Sequence, residues 1–212
     1  MNPLHPSPDS DVLPGFPPAR VFWHRANDPD TIGLAAKGGF GIEVDVRSVE
    51  GVLFLNHDPV YVCPTWSFQH LLAGFPGEVI LDVKETGLVS LVLNSLADID
   101  FPLERCYAAD LIVPDMLVAE RHGLRTLARN SRYERIEGPF YGDWIDYVFA
   151  PEDLPETSRP AFLVSPELHQ RPLTEEFVIS ALARGYDAVC TDRPDTWTHD
   201  RYRNQQRAPI PA

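Results

Sequence analysis

Basic residues, cysteines and long apolar runs are all scarce in this 212-residue chain, and each shortage closes off a class of function. Lys and Arg number 18 against 31 Asp and Glu, a formal net charge of −13. The field of such a chain repels a phosphate backbone or an anionic bilayer, so nucleic acid is not an expected partner. No basic amphipathic helix offers a membrane-surface anchor, and stable membrane association is not expected either. The three cysteines, Cys63, Cys106 and Cys190, stand far apart, form no C-x-x-C pair and lie in or beside apolar runs. They provide neither a disulfide framework nor a zinc knuckle and are expected as buried free thiols. No segment reaches the roughly 18 apolar residues of a membrane span, and the first twenty residues have no apolar core of signal-peptide length. These absences lead to the expectation of a soluble, cytoplasmic protein.

What is present is enough chain for one sizeable core. Proline is concentrated at the start, where "MNPLHPSPDSDVLPGFPPAR" holds six in twenty residues, the composition of an extended arm. We therefore expect an arm over 1–19, an ordered domain over 20–195 and a polar extension over 196–212. Within the domain, short β-branched and aromatic runs alternate with stretches of helical period, the signature of β/α units around a parallel sheet. The runs 21–25, 41–46, 78–84, 105–110, 125–130, 146–150, 161–165 and 187–192 read as eight strands. Residues 30–39, 87–99, 114–123 and 174–186 show apolar positions every three or four residues and read as helices, while 52–59 reads as a hairpin strand running into a loop. Eight β/α repeats predict an α/β fold of the TIM (β/α)8 barrel type, compact and near the minimum size of about 200 residues.

The strand "GIEVDV" at 41–46 poses the chemical question. Strand side chains alternate, so Ile42, Val44 and Val46 share one face and Glu43 and Asp45 the other. If the apolar face meets the helices, both acids point into the barrel, at a large desolvation cost unless a cation or strong donors compensate. "ILDVK" at 80–84 repeats the pattern, with Asp82 and Lys84 on the inward face. Three inward carboxylates suit Mg²⁺ or Ca²⁺, and the lack of a nearby His/Cys cluster disfavours zinc. His24 ends the first strand, and His57 follows the hairpin after the second. Both reach toward the C-terminal mouth where barrel active sites assemble, and imidazoles suit proton transfer at neutral pH. His5, His70, His122 and His199 are read as structural. Glu167 and His169 are read as capping their loop, with contact to a polar substrate as the alternative. The four tryptophans are read as core or rim packing, with Trp66 following the His57 loop.

The order His-Arg in "HRAND", Glu-x-Asp in "GIEVDVR", His-Asp in "NHDP" and Asp-x-Lys in "LDVK" resembles the glycerophosphodiester phosphodiesterases, members of the phospholipase C-like phosphodiesterase superfamily. "DAVCTDRPD" near the end resembles that family's last strand. The resemblance implies a TIM-barrel phosphodiesterase with Glu43, Asp45 and Asp82 as ligands of one divalent cation, His24 and His57 as the acid–base pair, and Arg25 and Lys84 as phosphate contacts. It implies a small anionic phosphodiester as substrate, hydrolysed to an alcohol and glycerol phosphate. The chain departs from the family pattern at Ala26, where glycine is usual, at Asp82, where glutamate is usual, and in a shorter span from His24 to His57. Two other readings remain open here: a phospholipase D-like lyase releasing a cyclic phosphate from a lysolipid, and an inactive barrel serving as a binding module.

Overall fold

The computed structural model describes residues 15–59, 61 and 66–198. Eight parallel strands close on themselves: β1 (Val21–Trp23), β2 (Gly41–Val49), β4 (Val79–Val83), β5 (Cys106–Ala109), β6 (Arg125–Ser131), β7 (Gly142–Asp146), β8 (Ala161–Val164) and β9 (Ala188–Thr191). Each pairs with the next, and β1 pairs with both β2 and β9, so no strand edge of the barrel is left open. A ninth strand, β3 (Val52–Leu55), folds back antiparallel on β2. The expected TIM barrel is what forms.

The period-two pattern sorts the side chains as the sequence implies. Ile42, Val44 and Val46 pack outward against Ala35, Leu72, Leu96 and other helix-side residues. The barrel interior is filled by a separate cluster that includes Phe22, Ile80, Tyr107, Phe162 and Cys190. Outside lie α1 (Pro29–Gly38), α2 (Phe68–Leu72), α3 (Val89–Asp98), α4 (Val113–Arg121), α5 (Glu175–Arg184) and α6 (Pro194–Trp197). The caps follow from sequence. Asp28 accepts the Thr31 N–H and Thr174 accepts the Phe177 N–H, so each satisfies an otherwise orphaned donor of a first turn. Gly39 and Gly185 end α1 and α5 in the left-handed conformation. The connections β6–β7 and β7–β8 contain no α-helix, which is how a complete barrel fits into so short a chain.

One expected strand is displaced. Residues 147–150 are not in a strand; β7 runs Gly142–Asp146 instead of the expected 146–150. Tyr147, with φ 54°, adopts the left-handed conformation and breaks the strand directly after Asp146. At its start, a Cβ on Gly142 would lie 2.5 Å from the Pro160 carbonyl oxygen, so only glycine lets β7 approach that loop. The glycine and two acids of "GDWID" hide a buried strand, and the correction brings Asp146 to its inward-facing end.

Packing reaches slightly beyond residues 20–195. Phe16 donates its N–H to the Trp197 carbonyl at 2.9 Å, and Trp197 is fully buried. Cys106 and Cys190 are buried free thiols, and burial pushes Cys106 up to about 12 and Cys190 well above its ordinary value. Cys63, His5, His199 and most of the expected arm and extension lie outside the described residues. No helix among the described residues is long and apolar enough to cross a membrane.

Candidate active site

The inward acids meet at the C-terminal mouth of the barrel. Asp45 and Asp82 are direct partners in the parallel β2–β4 register, and Glu43 sits one layer deeper, opposite Ile80. All three are buried, and each offers a carboxylate oxygen within 4.8 Å of the others. At about 4 Å and an effective dielectric near 20, two carboxylates repel by roughly 4 kcal/mol. A single hydrogen bond to a charged group returns only about 1.5–3 kcal/mol, so the cluster requires positive charge.

Part of that charge is built in. The Lys84 ammonium lies 3.0 Å from Asp45 Oδ1 and also binds Asp82 Oδ2. The Arg25 guanidinium stands 4.0 Å from Asp45 Oδ2. Asn27 holds Asp45 reciprocally: its amide donates to Oδ2 at 2.6 Å, and its Oδ1 accepts the Asp45 N–H at 2.9 Å. Glu43 Oε2 accepts the Arg25 N–H at 2.7 Å, a contact aimed by the left-handed backbone of Arg25, φ 51°, at a cost of about 1–3 kcal/mol. The left-handed residue of this turn is Arg25, and Ala26 is a buried residue whose N–H donates to the Glu43 carbonyl.

The compensation is incomplete. Burial, and then the charges of Asp82 and Asp45, hold the Glu43 carboxyl well above its usual range. Burial likewise raises Asp82 against the opposing pull of Lys84. Asp82 Oδ1 is buried with no hydrogen-bond partner. An orphaned oxygen beside two further carboxylates is the donor set of a hard divalent cation, so these residues fit the expected metal.

A cavity of about 250 Å³ opens over the acids and is lined by His24, Arg25, His57 and Lys84 among others. His24 Nδ1 lies 2.9 Å from Asp192 Oδ1, and His57 Nδ1 lies 2.9 Å from Asp58 Oδ1. In each ring one nitrogen is engaged by a carboxylate, which leaves Nε2 for the cavity. The anchors differ, since the Asp58 side chain is 84 % exposed and that of Asp192 55 %. The hydrogen bond from His24 lowers the Asp192 carboxyl. Every residue expected at the site therefore borders this cavity or the acid cluster beneath it.

The cavity's opposite wall was missed in the sequence. Arg129, inward on β6, donates to Asp146 Oδ2 at 2.7 Å and pairs with Asp110. His169 Nε2 meets Asp146 Oδ1 at 2.6 Å and stacks on Tyr147. Glu167 accepts the hydroxyls of Ser165 and Thr191, so it ties its loop locally, whereas His169 reaches the cavity wall. Arg129 was not findable by the alternation that exposed Glu43, because it shares its face with the apolar Leu127, which here packs in the barrel interior rather than against the helices. Asp146 was hidden by the displaced strand, and Asn27 carries no periodic signal. His70 stacks on the partly exposed Trp66, and His122 Nδ1 meets the Val118 carbonyl; both contacts lie away from the cavity lining.

Compared by sequence, the chain matches no protein-family model and no curated protein. Compared by structure, it is similar to a glycerophosphodiester phosphodiesterase of Parabacteroides distasonis, with 14% identity, a TM-score of 0.64, and 91% of this chain and 100% of that one covered. It is similar to a glycerophosphodiester phosphodiesterase of Agrobacterium tumefaciens, also at 14% identity, with a TM-score of 0.58 and 84% and 98% covered. A glycerophosphoryl diester phosphodiesterase domain from Mycobacterium tuberculosis aligns at 14% identity with a TM-score of 0.57, over 92% of this chain and 100% of that one. The chain thus shares its barrel, nearly end to end, with solved phosphodiesterase structures.

Proposed function

We propose that the protein is a metal-dependent phosphodiesterase acting on a small glycerophosphodiester. The observation that carries this reading is the convergence, in one cavity, of the three-acid cluster with its orphaned Asp82 oxygen and of two imidazoles anchored through Nδ1. Glu43, Asp45 and Asp82 would hold one Mg²⁺ or Ca²⁺, which when bound supplies positive charge to the phosphoryl oxygens. Arg25 and Lys84, with Arg129 across the cavity, supply fixed cationic donors to the same oxygens.

The reaction needs one proton removed and one delivered. A glycerol substrate carries a hydroxyl beside its phosphate, and attack by an internal oxygen avoids the entropy of capturing water. His24, oriented by Asp192, takes the proton of that hydroxyl as its oxygen bonds to phosphorus. His57 gives a proton to the alcohol as the opposite P–O bond breaks. Water then opens the cyclic phosphate with the two roles exchanged, yielding glycerol phosphate. Turnover of glycerophosphocholine and bis(p-nitrophenyl) phosphate, with and without EDTA, tests the reading. Metal-dependent release of choline and p-nitrophenolate is expected, and no turnover of either substrate under any divalent cation would overturn it. Phosphorus NMR in ¹⁸O-water separates hydrolysis from release of the cyclic product.

A further inference from the structure

His57 has the weaker anchor of the two imidazoles. Asp58, which meets its ring at Nδ1, is 84 % exposed, and an exposed ion pair holds a side chain only weakly. His24 directly follows β1 and donates its N–H to the Thr191 carbonyl inside the closed barrel. His57 instead stands on the loop after the hairpin strand β3. That loop is fixed through its backbone. The Asn56 N–H donates to the Asp45 carbonyl at 2.9 Å, the Asn56 amide donates to the Asp58 carbonyl at 2.7 Å, and Arg47 Nε donates to the His57 carbonyl at 2.9 Å.

Arg47 is brought to this carbonyl by β2 itself. It follows Glu43 and Asp45 at two-residue spacing on the same face of the strand, but lies behind the wall of the cavity rather than in it. Its largely buried side chain pairs with Glu85 at 3.5 Å. Glu85 is fixed in turn, because its Oε2 accepts the Ser48 N–H at 3.2 Å and the Ser48 hydroxyl at 2.7 Å. Glu85 also directly follows Lys84 at the end of β4. An unbroken run of polar contacts thus ties the backbone of His57 to the ends of the two strands that carry Asp45, Asp82 and Lys84.

We infer that Arg47, held by Glu85, is a positioning residue for His57: it fixes the loop so that the imidazole meets the leaving oxygen of the diester. The inference rests on the phosphodiesterase reading for what His57 does, and Arg47 acts only through it. Proton delivery depends steeply on placement, and a shift of about 1 Å can cost on the order of a hundredfold.

The test sets Arg47→Met, which keeps the apolar stem and removes the donors, against wild type and in a His57→Ala background. With glycerophosphocholine, kcat should fall about ten- to a hundredfold with KM nearly unchanged, the pattern of a contact that acts in the transition state. In the His57→Ala background the same substitution should cost about twofold at most, because the group it positions is gone. On bis(p-nitrophenyl) phosphate, whose leaving group needs no proton, the loss should be equally small. A merely structural arginine would lower turnover alike in both backgrounds and on both substrates. The His57 ring gives a readout independent of turnover: its carbon-bound proton signal in NMR should move toward its urea-unfolded position in Arg47→Met, while that of His24 stays in place. Unchanged kcat, an equal loss in the His57→Ala background, or an unmoved His57 signal overturns the inference. If Arg47→Met does not fold, Glu85→Gln, which keeps an acceptor for Ser48, replaces it with a smaller expected loss and the same overturning results. If the wild type turns over no diester, the phosphodiesterase reading falls, and the His57 signal alone decides whether Arg47 holds the loop.

Discussion

The two ends of the barrel treat charge in opposite ways. At the N-terminal end Arg20 donates to Glu78 at 2.6 Å, the Tyr107 hydroxyl donates to the same carboxylate at 3.1 Å, and Arg20 lies over the Phe162 ring. Arg125 covers Tyr141 there and donates to the Glu104 carbonyl. Arg20 and Arg125 at that end each have a polar partner and an aromatic ring beside them. At the C-terminal mouth five carboxylates, Glu43, Asp45, Asp82, Asp110 and Asp146, face three fixed cations, Arg25, Lys84 and Arg129. Counted as formal charges, these eight residues carry an excess of two negative charges, with one buried carboxylate oxygen unpartnered. A closed, balanced end is built for stability, and an unbalanced end is built to hold something else.

The largest effect separating the ends should come from His24→Ala. A positioned base contributes about a hundred- to ten-thousand-fold, so kcat for glycerophosphocholine should fall by that order while the urea midpoint barely moves. His57→Ala should cost as much with this substrate and much less with bis(p-nitrophenyl) phosphate, whose leaving group needs no proton. If both variants stay within a few-fold of wild type on both substrates, the imidazoles are structural. The opposite end should give the opposite result. Arg20→Ala, which strips the partly buried Glu78 of its cation, should cost about 1–3 kcal/mol in urea unfolding and leave kcat within a few-fold. Loss of turnover without loss of stability there would erase the distinction between the ends.

Much of this asymmetry was legible in the sequence because strand alternation is strict. Once Ile42, Val44 and Val46 are assigned to the helix-facing side, Glu43 and Asp45 must face inward, and the β4 register carries Asp82 to the same level. What was not legible depended on backbone that polar residues disguise. "GDWID" lacks the apolar run of a buried strand because both its acids are buried in pairs: Asp146, facing the interior, binds Arg129 and His169, and Asp143, on the opposite face, pairs with Arg159. The left-handed Arg25, Asp110 and Tyr147, each at the C-terminal end of a strand, likewise have no glycine to announce them. Their conformations follow from the mouth's tertiary contacts, which local propensity does not encode.

A smaller effect sharpens the electrostatic side of the comparison. Burial holds Glu43 above its ordinary value, and a carboxyl raised in the folded state lends stability at low pH that is lost as pH rises through its folded value. The EDTA-treated protein should therefore melt lower as pH is raised through that range, and Glu43→Gln should flatten the dependence. Affinity for a divalent cation should run the other way, rising with pH as Glu43 loses its proton. Melting curves of both proteins across pH, with EDTA and with Mg²⁺, check both signs. The smallest effect concerns the thiols. In a Cys63→Ser background, Cys106 and Cys190 should resist a thiol reagent such as dithionitrobenzoate until urea unfolds the barrel, because burial keeps both protonated. Fast labelling of the native protein would show that the barrel opens readily.

On the proposed function, the excess acid of the mouth holds one divalent cation on which turnover depends. Isothermal titration calorimetry of Mg²⁺ and Ca²⁺ into wild type and Asp45→Asn tests it most directly. The substituted side chain keeps a carbonyl oxygen to accept from the amide of Asn27, so the variant should fold. Wild type is expected to bind one ion with release of protons, and Asp45→Asn to lose that binding together with nearly all glycerophosphodiester turnover. Undiminished metal binding in Asp45→Asn, or full turnover of the wild type in excess EDTA, would contradict the account.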